Sequence, residues 1–159
     1  MPASVPPQIT FYVITNYTGP DDGDESEEIT SFDFGTQHVG VSTVTSATSR
    51  VRIRNAENTQ NEVYATALGP IFYITGEDSE IMASEGNEWL YMKNVSLNGQ
   101  SVLDDFTAVS NSTTVGYKPL AGDLDPGSYI SVDAYLEIPA ETSAGGYMWD
   151  LSLDYQYTT

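Results

Sequence analysis

Residues 128–138 read "SYISVDAYLEI". In an extended chain Ile130, Val132, Ala134, Leu136 and Ile138 fall on one side, and Tyr129, Ser131, Asp133, Tyr135 and Glu137 on the other. A period of two with an apolar side is the signature of a strand with one buried face. Residues 147–157, "YMWDLSLDYQY", alternate in the same way, with Tyr147, Trp149, Leu151, Leu153, Tyr155 and Tyr157 on the side predicted to be core. Between them "PAETSAGG" places Pro139 where a strand must stop and Gly145-Gly146 where the chain turns easily. The two strands are therefore expected to pair antiparallel as a long terminal hairpin.

The same alternation recurs upstream. "QITFYVIT" from Gln8, "ITSFDFG" from Ile29, "SRVRIRN" from Ser49, "EVYATAL" from Glu62, "PIFYITG" from Pro70 and "EWLYMKNVSL" from Glu88 all read as strands. Asn98-Gly99 is a hairpin turn signal, because a type I′ turn needs positive φ at both central residues. No window keeps the apolar spacing of a helix. Turns spaced about eight to twelve residues apart, separating β-branched and aromatic runs, predict one all-β antiparallel sandwich over residues 9–159. Residues 1–8, "MPASVPPQ", carry three prolines and are expected to form an extended arm reaching another subunit, with Pro2, Val5, Pro6 and Pro7 as contact residues. "TGPDDGDESEE", from Thr18, is expected to be a solvated acidic loop.

A chain of 159 residues is long enough to bury roughly two-thirds of its unfolded surface without disulfides. It has no cysteine, and His38 is its single imidazole. Thiolate chemistry is excluded, and a Ser-His-Asp arrangement has one candidate base with no nucleophile-elbow motif beside it. Carboxylate pairs for glycoside cleavage cannot be placed from spacing alone. The formal charge of −18 opposes binding to nucleic acid and to anionic membranes. An N-terminus with neither a basic start nor a long apolar run predicts no signal peptide and no membrane anchor, hence a product assembled in the cytoplasm.

No cofactor is expected. Calcium is the one metal that the acidic turns "DDGDESEE" from Asp21 and "GDLDPG" from Gly122 would suit, but neither keeps the register of a calcium loop, and both read as solvated. Sequons at Asn16, Asn94 and Asn111 occur at about the frequency chance gives in a Ser/Thr-rich chain.

Three of the five basic residues, Arg50, Arg52 and Arg54, alternate within "SRVRIRN". Val51 and Ile53 are expected to enter the core while the arginines project together. Three readings follow for that stripe: a solvent-facing strand paired with acidic neighbours of its own sheet, an electrostatic clamp on the carboxylate-bearing surface of another copy or a scaffold protein, or a nucleic-acid contact, which the surrounding negative field opposes. The clamp is the sharper expectation and the one that assigns the arginines a protein partner.

The run "FDFGTQHVGVSTVTSATSRVRIRN", with its "FG…VG" turn, resembles the opening of Hydin-type Ig-like domains. "LDPGSYISVDAYLEIPAETSAGGY" is similar to the closing strands of Ig-like modules in surface and virion proteins. The resemblance implies an Ig-like sandwich, a fold that serves many kinds of job, and the lack of a catalytic signature makes a non-enzymatic job the expectation. It fits a structural protein displayed in many copies on a virion surface, as a capsid decoration, turret or tail-associated protein of a tailed phage or archaeal virus, binding its own copies and a capsid or tail scaffold. The alternatives are a carbohydrate-binding or adhesion module, or an extracellular filament or surface-layer subunit.

Overall fold

The computed structural model describes residues 3–19, 23–28, 49–75, 88–110, 117–119, 122–138 and 150–158. These form eleven strands, and no helix occurs among the described residues. The strands are β1 (Ala3–Val5), β2 (Ile9–Thr15), β3 (Asp24–Glu28), β4 (Ser49–Asn55), β5 (Glu62–Tyr64), β6 (Leu68–Thr75), β7 (Leu90–Leu97), β8 (Gln100–Ser101), β9 (Thr107–Ala108), β10 (Tyr129–Leu136) and β11 (Asp150–Gln156). The expected strand at Ile29, and the stretch around His38, lie outside the described residues.

Seven strands make one antiparallel sheet in the order β3-β2-β4-β10-β7-β8, with β9 also on β7. Strands β6 and β11 pair antiparallel in a second sheet, and the other edge of β6 is bridged by Tyr117 and by the Ser110 carbonyl. The apolar sides of the two sheets share one core. Val51, Ile53, Met92, Ile130 and Val132 contribute from the large sheet, Phe72 and Ile74 from β6, and Tyr117 and Leu124 from the connecting segments. Leu151, Leu153 and Tyr155 pack on it from β11, as their alternation predicts, whereas Tyr157, expected on the same face, lies past the strand's end and is 44% exposed, and Tyr147 and Trp149 lie outside the described residues. The chain is thus an all-β, sandwich-like fold.

The expected terminal hairpin is corrected. Strand β10 sits in the middle of the large sheet with β4 on one edge and β7 on the other, so both of its edges are used. Strand β11 pairs β6 in the opposite sheet. Alternation fixes which face of each strand turns inward, and here both strands face the same core from opposite sides. Nor is β10 half-buried: Ser131 and Asp133 on its second face are only 0% and 7% exposed.

Two local features follow from the sequence. Asn98 and Gly99 adopt φ of 48° and 81°, the left-handed pair expected of the β7–β8 turn. In β6, Gly69 and Pro70 together oppose the single residue Tyr155, because Asp154 pairs with Ile71 and Gln156 with Leu68. Pro70 has no N–H to give the ladder and Gly69 takes φ of 56°, so the strand bulges there.

At the end of β4 the fully buried Asn55 ties three segments together. Its Nδ2 donates to the carbonyls of Ala65 (2.9 Å) and Leu124 (3.0 Å), and its Oδ1 accepts from the Gln8 N–H (3.1 Å). Asn55→Ala would leave the buried Ala65 carbonyl without its partner and release the Gln8 N–H, while Leu124 keeps the Ala67 N–H, so it is expected to lower unfolding free energy by about 1–3 kcal/mol. Urea denaturation measures this, and the Gln8 amide should lose hydrogen-exchange protection at the same time.

Candidate functional site

The arginine stripe has the predicted alternation but not the predicted exposure. Strand β4 is flanked by β2 and β10, with Val51 opposite Val13 and Val132, and Ile53 opposite Phe11 and Ile130. The arginines share the opposite face. Arg50 and Arg52 are only 5% and 9% exposed.

Arg50 is the most enclosed of the three. Its Nε and Nη2 donate to the two carboxylate oxygens of Asp133 at 2.7 and 3.1 Å, a forked pair across neighbouring strands. Its Nη1 donates to the Gly19 carbonyl, and the guanidinium carbon lies 4.0 Å from the centre of the Tyr17 ring. The segment after β2 therefore folds over Arg50 and seals it. Burial, reinforced by Asp133 and opposed by Arg50, raises the Tyr17 pKa above that of a free tyrosine.

Arg52 donates to Ser131 Oγ at 3.2 Å and lies 3.7 Å from Glu25. Arg54 donates to both Glu25 oxygens at 3.2 Å. Both guanidinium groups stand against the Tyr129 ring, at 4.8 and 4.6 Å. Glu25 belongs to β3, two strands away, and reaches across β2 to make these contacts. The acidic segment read as a free loop is thus in part an edge strand, held by its own carboxylate.

These contacts supply partners from the same chain where the clamp expectation supplied another protein. Arg50 and Arg52 have partners inside the chain, Asp133 and the Gly19 carbonyl for the first and Ser131 and Glu25 for the second. The reading of acidic neighbours in the same sheet describes their partners, although the strand is covered and not solvent-facing. Arg54, with a side chain 26% exposed, is the one member with access to solvent.

The N-terminal segment is extended as expected and pairs within its own chain. Ala3–Val5 is extended, but it pairs in parallel with β5 of the same chain, Ser4 opposite Val63 and Val5 opposite Tyr64. The Val5 carbonyl accepts from the Ala65 N–H at 2.9 Å, Pro7 is buried and Pro6 is exposed. Pro2 lies outside the described residues. The backbone of Ala3–Val5 thus has partners within its own chain.

Beyond the stripe, the same sheet face carries Tyr91 and Tyr135, cross-strand partners stacked at 5.1 Å, with Phe106 edge-on to Tyr135 at 4.6 Å and Lys93 over Phe106. Burial, aided by Glu137, raises both tyrosine pKa values. No group of three or more His, Cys, Asp or Glu suited to a metal occurs among the described residues. In the "GDLDPG" turn Asp123 accepts from the Gly69 N–H and Asp125 from Thr66 Oγ1, both at 2.8 Å, while Asp21 and Asp22 lie outside the described residues. Asn94 is fully buried, so its sequon is closed to glycan attachment in the folded chain, whereas Asn16 is exposed.

Sequence reasoning did not select Asp133, Glu25 or Tyr17 as partners of the stripe. The signal was present for Asp133, the carboxylate in the middle of a strand pattern otherwise rich in apolar and aromatic residues. Glu25 gave none, being one acid in a run of acids. No family model, no curated protein and no solved structure matches the chain.

The two ends of the stripe should respond differently to charge removal. Arg54→Gln is expected to change unfolding free energy by less than about 1 kcal/mol, as for exposed pairs. Arg50→Gln leaves Asp133 buried without its partner and is expected to lose about 3 kcal/mol or more. Urea unfolding of the two variants checks the difference.

Proposed function

We propose that the chain is a non-enzymatic structural module displayed in many copies on the outside of an assembly. Our reading places it on a virion surface, as a capsid decoration, turret or tail-associated protein, with its own copies and a capsid or tail scaffold as partners. The observation that carries this reading is how the cations are used. Of five Lys and Arg against 23 Asp and Glu, three lie in the arginine stripe and a fourth, Lys93, stands over Phe106. The exterior is left strongly anionic, which keeps copies apart in solution and makes their arrangement depend on a scaffold. The Ig-like sequence resemblance supports the same setting.

An adhesion module with a flat aromatic platform is less well supported. The Tyr91 and Tyr135 rings lie 9° from parallel and stack on each other, so their faces are turned to one another. Antibody labelling of particles purified from the source, with quantitative mass spectrometry, tests the proposal. Label on the outer surface and many copies per particle are expected. Recovery of the chain solely in the particle-free fraction would overturn it.

A further inference from the structure

The fifth cation, Lys118, is exposed and lines a groove of about 400 Å³ on the outer side of the β6–β11 sheet. That volume is at the low end of the range for small-ligand sites. The groove lies at the Gly69-Pro70 bulge. The Phe72–Tyr117 bridge brings Lys118 alongside Ile71, and β11 sets Asp154 on Ile71 from the other side. Gln156 and Tyr155 complete the wall, with Leu68 and Ile71 as its aliphatic part.

The bulge holds this concavity open. Asp123 fixes the Gly69 N–H at 2.8 Å, and a Cβ added at Gly69 would meet nothing within 4 Å. The backbone is therefore bare toward the groove. Bulges are a common means of re-aiming side chains beside a binding site.

The charges of the lining disfavour several ligand classes. An inorganic anion would face the Asp154 carboxylate, and an organic cation would face the Lys118 ammonium. An apolar ligand would strip water from an ammonium, a carboxylate and a carboxamide without replacing their hydrogen bonds. A ring bearing several hydroxyl groups suits all three, since each hydroxyl both donates and accepts. Its C–H edges would meet Leu68. We propose that the groove binds a neutral saccharide unit, with Lys118, Asp154 and Gln156 as hydrogen-bonding residues. This rests on the groove alone and is independent of the virion reading.

Amide chemical-shift titration of the full chain with glucose, galactose, maltose and lactose tests it. At least one of these sugars should give saturable shifts in the millimolar range, confined to the amides of Gly69, Ile71, Tyr155 and Gln156 and their neighbours. Asp154→Ala and Gln156→Ala replace exposed side chains, and unchanged spectra elsewhere would show that the fold is kept. Each is expected to weaken binding roughly tenfold, the equivalent of about one hydrogen bond. The proposal is overturned if no sugar saturates, if both variants respond like the parent chain, or if acetate saturates the same amides in place of the sugars.

Discussion

A guanidinium enclosed between strands needs a carboxylate beside it, and Arg50 has Asp133. Taking two such charges out of water costs several kcal/mol for each, and their attraction recovers that only with good geometry. Here the geometry is forked, and the Gly19 carbonyl takes a further N–H. The pair adds little net stability compared with a packed apolar alternative. What it adds is specificity. A slip of one residue between β4 and β10 would turn three guanidinium groups into the apolar core and Val51 and Ile53 out of it.

The rest of the outer face is organised around that requirement. The segment following β2 crosses over Arg50 so that Tyr17 and Gly19 cover it. Gly23 is bound to this crossing: a Cβ there would lie 2.4 Å from Ile14 and 2.9 Å from Tyr17. Strand β3 follows and places Glu25 against Arg52 and Arg54. An edge strand composed almost wholly of acids would be poor at joining the edge of another sheet, one of the ways proteins avoid edge-to-edge aggregation. The same carboxylates thus hold the edge in place and keep strangers from it.

Much of the fold was legible locally. The spans of β2, β4 and β7 follow their apolar alternation, the inward faces of β10 and β11 are those their side chains indicate, and Asn98-Gly99 turns as its chemistry requires. What alternation does not contain is the identity of the neighbour. The pairing of β10 with β4 and β7 is decided by contacts between residues far apart in sequence, and the Pro/Gly linker before Tyr147 is equally compatible with a crossing between sheets. The enclosure of the arginines was hidden for a related reason: three charges on one strand face read as solvent-facing until two aromatic rings and two carboxylates arrive from elsewhere. The bulge had a visible marker, Gly69-Pro70 within a strand, but its partner Tyr155 and the cation Lys118 come together only through topology.

The central claim is that the stripe is an internal fastening. A double-mutant cycle of Arg50→Met and Asp133→Leu, followed by urea unfolding at low and high salt, measures it most directly. A coupling energy above about 2 kcal/mol, little changed by salt because the pair is shielded from water, is what the account predicts. Coupling near zero, with each single substitution tolerated as on an exposed surface, would contradict it.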